Sequence, residues 1–250
     1  MKLASILACT TVALIVSTGC HESKCPMTQE QQKVNIPTGF MTKSIDFEGK
    51  TYLYGLYVPD DYTPNRAWPA VLFLHGMGER GTDGVVQTNV GIGPAIRANP
   101  ERYPCIVVMP QCPPDSLWSG QALEMAMATL EQTEKEYRTD RARTVLTGLS
   151  MGGFGTWTLG AQKPDRFCAL LPVCGGGDPR DAQTLAQTPI WCFHGAADPV
   201  VPVARSREMV EAVRNAGGSI RYTEYPEVGH NAWDPTYQDP QVPAWMLDPS

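Results

Sequence analysis

The sequence predicts an α/β fold, with a mostly parallel, doubly wound sheet and helices on both faces. Six short, nearly continuous apolar runs are typical of parallel strands that are buried on both faces; they span residues 70–74, 105–109, 144–147, 169–173, 190–193 and 220–225. Helical segments separate these runs, and the alternation implies right-handed crossovers between strands. Ligands of such sheets bind at the carboxyl ends of the strands, so functional residues are expected directly after them.

An antiparallel hairpin is predicted ahead of these strands. Apolar and aromatic residues alternate along residues 51–59, which indicates a strand paired with residues 44–47. The clearest helix spans residues 121–137, where leucine and methionine recur at helical spacing. Another is predicted over residues 202–216, because a proline lies near its start and two glycines follow its end.

The N-terminus predicts export. Residues 1–19 contain an apolar stretch that is too short to span a bilayer comfortably but is typical of a signal peptide. Small residues before Cys20 resemble a bacterial lipobox, at which this cysteine would be lipidated and anchor the chain at the cell envelope. An ordinary signal peptide, leading to a periplasmic or secreted protein, is the alternative. Residues 20–40 are expected to form a flexible tether, and residues 41–250 one α/β catalytic domain.

Charge and composition narrow the range of partners. The formal charge of -6 is spread along the chain, and the sequence has no basic stripe that would predict nucleic-acid binding. No Cys-x-x-Cys pair or histidine cluster has metal-ligand spacing, so neither a metal nor a cofactor is expected. A membrane is expected to be contacted only through the lipid anchor. The six cysteines from Cys25 onward could form disulfides in an exported chain, but buried thiols are favoured for at least some of them.

A nucleophile is predicted at Ser150. This serine is the centre of a Gly-x-Ser-x-Gly pentapeptide that follows the apolar run 144–147 and precedes a helical stretch. A sharp turn brings neighbouring backbone too close for side chains at Gly148 and Gly152 while lifting the serine clear for attack. The helix start after it places N–H groups near a developing oxyanion.

A base and an acid are predicted on later loops. The elbow is typical of the α/β-hydrolase fold, in which the nucleophile, the acid and the histidine follow one another in that order along the chain. His230 follows the last predicted strand and is the candidate base. Asp198 follows the strand before it and would orient the imidazole; Asp178 is the rival acid. His194 is interpreted as a structural residue that packs the loop bearing Asp198.

The oxyanion hole requires two backbone donors. One is predicted at Met151, the residue after the nucleophile. The other is expected in the loop after the strand at residues 70–74, where Met77 is the first choice and Gly78 the alternative. Gly78 is also expected to contact the substrate. His75 in the same loop is interpreted as a scaffold residue that hydrogen-bonds to backbone.

Five motifs together resemble one branch of the α/β-hydrolase superfamily. They are residues 148–153, residues 75–81, residues 109–113 with Trp118, residues 194–198 and residues 229–230. The branch contains secreted carboxylesterases and predicted peptidases, and it is similar to the dienelactone hydrolase, feruloyl and acetyl-xylan esterase, and prolyl oligopeptidase groups. The resemblance covers about residues 45–235.

The resemblance implies substrate-binding residues around the predicted nucleophile. Glu79, Arg80 and Gly81 would shape the rim near the oxyanion loop, and Trp118 would line the acyl or alcohol pocket. The alternatives are a surface ion pair between Glu79 and Arg80 and a core position for Trp118. Trp233, three residues past the candidate histidine, would close the pocket or simply pack.

The leading function is hydrolysis of carboxylic esters through an acyl-enzyme. The substrate would be a small-molecule ester or one linked to a polysaccharide. A peptidase of the prolyl-oligopeptidase type is the first alternative, although such enzymes normally carry a large additional domain for which 250 residues leave no room. A noncatalytic binding lipoprotein on the same fold is the second. The sequence predicts neither the natural ester nor the oligomeric state.

Overall fold

The fold is built on one eight-stranded sheet. A computed structural model describes residues 36–249, so the predicted signal peptide, Cys20 and most of the predicted tether lie outside the described residues. The strands are β1 (Gly39–Phe47), β2 (Lys50–Val58), β3 (Trp68–Leu74), β4 (Ile106–Pro110), β5 (Thr139–Leu149), β6 (Ala169–Val173), β7 (Ile190–Gly195) and β8 (Ile220–Tyr225). Their spatial order is β1-β2-β4-β3-β5-β6-β7-β8.

The first two strands form the predicted hairpin. Phe47 pairs with Lys50, and the two residues between them, Glu48 and Gly49, have φ values of 48° and 77°. Two residues in the left-handed region match the twist of a two-residue hairpin turn, and glycine is favoured at such positions because it has no side chain. β2 runs antiparallel to β4, whereas the strands from β4 through β3 to β8 are parallel to their neighbours.

Helices cover both faces of the sheet. The α-helices are α1 (Ile92–Ala98), α2 (Gln121–Glu136), α3 (Met151–Gln162), α4 (Ala182–Leu185), α5 (Ala204–Asn215), α6 (Trp233–Gln238) and α7 (Gln241–Leu247). Short 3₁₀ turns lie at Met77–Glu79, Val86–Asn89, Pro100–Arg102 and Pro179–Asp181. These bounds confirm the predicted doubly wound α/β fold.

Alternate residues of each strand supply the two halves of the core. Val71 and Phe73 share one buried cluster with Ile92 of α1 and Trp245 of α7. Leu74 points to the other face, where a Cβ added to Gly155 of α3 would lie 3.0 Å from its side chain. This alternation is the two-residue period of a strand. It explains why the central strands β3, β4 and β6, which are covered on both faces, have no polar positions.

Several boundaries differ from the predictions. β1 begins at Gly39, so two residues assigned to the tether belong to the sheet, and β5 extends from Thr139 instead of residue 144. The residues added to β5, 139–143, are mostly polar and lie opposite a register shift between Trp68 and Ala70 of β3, so they lack the apolar run that predicts a buried strand. None of the helices formed by the described residues is long and apolar enough to cross a membrane.

The cysteines of the described chain are unpaired. Cys105, Cys112, Cys168, Cys174 and Cys192 are free thiols, and all but Cys168 are buried. The structure therefore places them in the core, as favoured for part of the set, and gives no disulfide among them.

Candidate active site

Four loops at the carboxyl edge of the sheet bring the predicted site residues together. Ser150 directly follows β5, and Met77 lies three residues beyond β3, the neighbour of β5. Asp198 and His230 follow β7 and β8. Parallel strands end at the same edge, so residues that are far apart in the chain meet there.

The turn at Ser150 is strained and depends on its glycines. Ser150 has φ 52° and ψ -118°, outside the regions that an L-residue prefers. A Cβ on Gly148 would lie 2.4 Å from the carbonyl oxygen of Gly152, and one on Gly152 would lie 1.9 Å from the carbonyl oxygen of Leu74. Ser150 N–H donates to the carbonyl of Val173 (2.9 Å), which fixes the turn to the adjacent strand. The surrounding backbone therefore holds the serine in its unfavourable conformation.

A continuous hydrogen-bonded chain joins the three predicted triad residues. Ser150 Oγ lies 2.9 Å from His230 Nε2, and His230 Nδ1 lies 2.7 Å from Asp198 Oδ2. The Asp198 side chain is fully buried, whereas the imidazole of His230 is 19% exposed. With its hydrogen on Nδ1, His230 has a free lone pair at Nε2 that can accept the hydrogen of the serine hydroxyl.

Four donors surround the Asp198 carboxylate. Oδ1 accepts from Val200 N–H (2.8 Å) and Val201 N–H (2.9 Å), and Oδ2 faces His194 Nε2 (3.2 Å) in addition to His230. Burial alone would raise the pKa of Asp198, but the hydrogen bonds from His230 and the two backbone N–H groups outweigh it and lower the pKa. Asp198 therefore stays ionised opposite His230.

His194 is a second histidine on the same carboxylate. Its Nε2 also lies 3.0 Å from the carbonyl oxygen of Val201, and its Nδ1 lies 2.7 Å from Ser206 Oγ. Burial lowers the pKa of His194 below its ordinary value, which favours the neutral ring. Because both neighbours of Nε2 are acceptors, the hydrogen of the neutral ring lies on Nε2. The sequence predicted that His194 packs this loop, but it did not predict the contact with Asp198.

The rival acid Asp178 lies in a different environment. Its carboxylate accepts from the side chain and the N–H of Arg180, with 38% of the side chain exposed. The side-chain hydrogen bond from Arg180 lowers the pKa of Asp178 to about 2. In the structure, Asp198 and not Asp178 contacts the histidine.

The loop predicted to supply an oxyanion donor is held by His75. Burial lowers the pKa of His75 to about 4, so the ring is neutral at pH 7. Its Nε2 accepts the N–H of Cys112 (2.9 Å), which leaves Nδ1–H to donate to the carbonyl of Gly76 (2.6 Å). Trp118 Nε1–H donates to the carbonyl of His75 (2.8 Å). His75 thus acts on backbone groups, as expected of a scaffold residue.

Two backbone N–H groups are available near the serine. Met151 is the first residue of α3, and Met77 is the first residue of the 3₁₀ turn Met77–Glu79. The first N–H groups of a helix have no acceptor within the helix itself. Both residues line the cavity that contains Ser150 and His230.

This cavity has a volume of about 570 Å³ and mainly apolar walls. The predicted substrate-binding residues Gly78, Glu79, Trp118 and Trp233 all line it. Trp118 is also almost fully buried, so it serves both the core and the wall. Trp233 packs edge-on against the His230 ring, with 5.2 Å between centroids. Further wall residues, which the sequence analysis did not identify, are Leu117, Leu149, Phe154, Val200 and Val201.

The alternative of a surface ion pair between Glu79 and Arg80 is not found in the structure. Arg80 donates instead to the carbonyl oxygens of Met77 (3.2 Å) and Ser116 (3.4 Å). Gly81, the third residue of this predicted rim, donates its N–H to the carbonyl of Cys112 (3.0 Å) and lines a neighbouring pocket.

Among the residues that the structure describes, one group of side chains has metal-ligand types. Atoms of Cys174, His194 and Asp198 lie within 4.8 Å of one another. Burial raises the pKa of the Cys174 thiol to about 12, and this thiol donates to the carbonyl of His230 (3.2 Å). A metal ion binds the thiolate form of a cysteine, whereas the Cys174 thiol stays protonated. The Asp198 carboxylate already accepts from four donors. The donor set therefore suits the hydrogen-bonded triad better than a metal ion.

Comparison with known proteins places the chain among esterases. It is 27% identical over 190 residues to "Probable feruloyl esterase C" of Aspergillus niger, which covers 73% of this chain and 68% of that protein. A bifunctional acetylxylan esterase/xylanase of Neocallimastix patriciarum is 29% identical over 150 residues, or 58% of this chain and 21% of that protein. The solved structure of a thermostable esterase has a TM-score of 0.78 and 37% identity, covering 84% of this chain and 62% of that chain.

The sequence also matches a protein family described as "Putative esterase" over residues 49–191. This match covers more than half of the chain, and the sheet described above agrees with it. The chain belongs to this esterase family and has the α/β-hydrolase fold.

Proposed function

We propose that the protein is a serine hydrolase that cleaves carboxylic esters through an acyl-enzyme. The observation that carries this proposal is the hydrogen-bonded chain from Ser150 Oγ through His230 to Asp198, with distances of 2.9 Å and 2.7 Å. Ser150, at the strained turn after β5, and His230 both line a mainly apolar cavity. Such an arrangement activates a hydroxyl that is otherwise a poor nucleophile.

The first half of the reaction forms the acyl-enzyme. Ser150 Oγ attacks the ester carbonyl carbon while His230 Nε2 takes the hydroxyl proton. The N–H groups of Met151 and Met77 stabilise the negative carbonyl oxygen of the tetrahedral intermediate. Asp198 stabilises the imidazolium. The bond to the alcohol oxygen then breaks, and His230 returns the proton to the departing alcohol.

The second half of the reaction releases the acid. Water attacks the acyl carbon, and His230 takes one of its protons. The bond to Ser150 Oγ breaks, the proton returns to the serine, and a carboxylic acid leaves. No other reactant is required.

The walls of the cavity favour an apolar group next to the ester carbonyl. Trp118, Phe154 and Trp233 are aromatic, and Met77, Leu117 and Val200 expose apolar surface at the rim. A second pocket of about 270 Å³ shares Leu117 and Ser119 with the cavity and is lined by polar side chains that include Asp115 and Gln121. We propose short-chain acyl esters or sugar-linked esters as substrates, because a polar pocket beside an apolar one suits an acylated sugar.

The test compares esters with amides in wild-type protein and in Ser150→Ala. Wild type is expected to hydrolyse p-nitrophenyl butyrate, and the loss of the nucleophile is expected to lower kcat by about 10⁴-fold or more. Ser219→Ala removes an exposed hydroxyl outside the cavity and is the matched control with full activity.

Two outcomes would contradict the proposal. Faster cleavage of a proline-linked peptide amide than of the ester would favour the peptidase alternative. Full ester hydrolysis by Ser150→Ala, or none by folded wild type across acetyl to octanoyl esters, acetylated xylan and methyl ferulate, would favour a different site or a noncatalytic binding protein.

We also propose that residues 1–19 direct export, that Cys20 carries a lipid, and that residues 20–38, up to the start of β1, tether one catalytic domain. The support is the sequence pattern alone. Incorporation of labelled palmitate into the wild-type chain, but not into Cys20→Ala, is the expected result in a bacterial host. Equal incorporation in both would contradict lipidation at Cys20.

A further inference from the structure

Glu79 is a carboxyl group in a mainly apolar cavity. Among the described residues that line this cavity, it is the only acidic one, and His230 is the only other titratable side chain. Glu79 is half-buried at the end of the 3₁₀ turn Met77–Glu79. A cavity that binds neutral esters has no evident need for a carboxylate.

The carboxyl group lies close to the nucleophile. A Cβ added to Gly76 would lie 3.0 Å from Glu79 Oε2 and 3.7 Å from Ser150 Cβ. The carboxylate oxygen is therefore no farther than about 7 Å from Ser150 Cβ. An acyl group attached to Ser150 would lie within the range of its charge.

No cation forms an ion pair with this carboxylate in the described part of the chain. The guanidinium of Arg80 is bound to the carbonyl oxygens of Met77 and Ser116, and the ion pairs formed by the described residues do not include Glu79. Asp198, behind His230, carries the same sign. Burial raises the pKa of Glu79, opposed by the N–H groups of Gly76 and of Glu79 itself. The group is thus a partly buried acid without an ion-pair partner.

We propose that Glu79 is a charge filter that excludes acyl groups carrying a carboxylate and speeds release of the carboxylate product. The proposal rests on the function proposed above and names its substrate class as neutral acyl esters. If the carboxylate of an acyl group lies about 7 Å from that of Glu79, the repulsion changes binding by about 3-fold in a water-like medium and about 50-fold at an effective dielectric constant of 20. The effect of the filter is expected to lie between these limits.

The experiment measures a ratio that cancels general effects on catalysis. Mono-p-nitrophenyl glutarate carries a free carboxylate, and p-nitrophenyl methyl glutarate is its neutral analogue with the same leaving group. The ratio of kcat/KM for the anionic ester to that for the neutral ester is expected to rise about tenfold in Glu79→Gln at neutral pH. The inhibition constant of glutarate is expected to fall by a similar factor.

Two further variants separate local charge from other causes. Glu79→Asp keeps the charge and is expected to keep the low ratio. Glu211→Gln removes one negative charge from the exposed face of α5, away from the cavity, and is expected to leave the ratio at the wild-type value. Glu79→Ala serves as a second neutral variant if the amide of Gln disturbs the turn.

Labelling by a neutral fluorophosphonate reports whether the site is intact in each variant. An unchanged ratio in a neutral variant that still labels would overturn the charge filter while leaving the proposed function in place. Loss of labelling in both neutral variants would mean that Glu79 holds the loop instead, and would overturn it as well. Failure of the proposed function is separate, since it would show as full activity in Ser150→Ala.

Discussion

Replacement of Asp198 by Asn tests how one carboxylate sets the tautomer of His230. The N–H groups of Val200 and Val201 both point to Oδ1, at 2.8 Å and 2.9 Å, so the side-chain carbonyl of Asn must occupy that position. Its NH₂ group then replaces Oδ2 and faces Nδ1 of His230. A favourable contact requires that Nδ1 accept, and this moves the imidazole hydrogen to Nε2.

The size of the effect follows from that change. An imidazole with its hydrogen on Nε2 presents a donor to Ser150 Oγ, which lies 2.9 Å away, and cannot remove the hydroxyl proton. The same substitution in a serine triad with intact geometry lowers kcat by about 10⁴-fold. This corresponds to about 5 kcal/mol of lost transition-state stabilisation. The folded structure is expected to survive, because both backbone donors keep their acceptor.

Initial rates with p-nitrophenyl butyrate measure the loss. Asp178→Asn is the matched control and is expected to keep wild-type activity, because the Asp178 carboxylate pairs with Arg180 at the surface. A loss of less than about tenfold in folded Asp198→Asn would refute this account of the tautomer, since a wrong tautomer leaves no general base. A comparable loss in Asp178→Asn would assign the acid to the other residue.

Three further predictions concern His194, the glycine Gly152 of the turn at Ser150, and the buried thiols. His194→Ala is expected to lower the free energy of unfolding by about 2 to 4 kcal/mol and kcat by about tenfold, because Asp198 loses one of four donors. Urea titration measures the first effect and ester hydrolysis the second. A kcat equal to that of wild type would contradict a positioning role. Gly152→Ala is expected to lower the free energy of unfolding by at least about 3 kcal/mol, because its Cβ would lie 1.9 Å from the carbonyl oxygen of Leu74. Gly229→Ala is the control, because its Cβ would have no neighbour closer than 3.9 Å. Equal stability of the two variants would contradict the steric argument. Burial raises the pKa of four thiols to about 11 or 12, those of Cys105, Cys112, Cys174 and Cys192. Iodoacetamide is therefore expected to leave them unmodified in the folded protein at mildly alkaline pH. Rapid alkylation, seen by peptide mass analysis, would contradict their burial.

The sheet and the positions of the candidate triad could be predicted because local rules determine them. The apolar runs of the parallel strands are visible in the sequence, and the elbow glycines report a steric requirement at Ser150. The chain order of nucleophile, acid and histidine that is typical of the fold then favours Asp198 and His230, on the loops after β7 and β8, although it leaves Asp178 as a rival acid. The catalytic roles of Ser150, Asp198 and His230 stay predictions until a variant is measured.

The walls of the cavity could not be predicted in the same way. Leu117 and Val200 lie on loops without periodic patterning, and their exposure depends on how those loops fold over the sheet. The short helices α1, α4, α6 and α7 give too few turns for a clear 3.6-residue pattern. The contact of His194 with Asp198 depends on a turn geometry that sequence spacing does not specify.

The most direct test of the proposed nucleophile is to map a covalent fluorophosphonate adduct. After labelling of the folded protein and digestion with trypsin, the expected result is one adduct on the peptide of residues 144–166, which contains Ser150 as its only serine. The Ser150→Ala variant is expected to show no adduct. Labelling at another serine, or undiminished labelling of folded Ser150→Ala, would contradict the assignment of Ser150 as the residue that forms the acyl-enzyme.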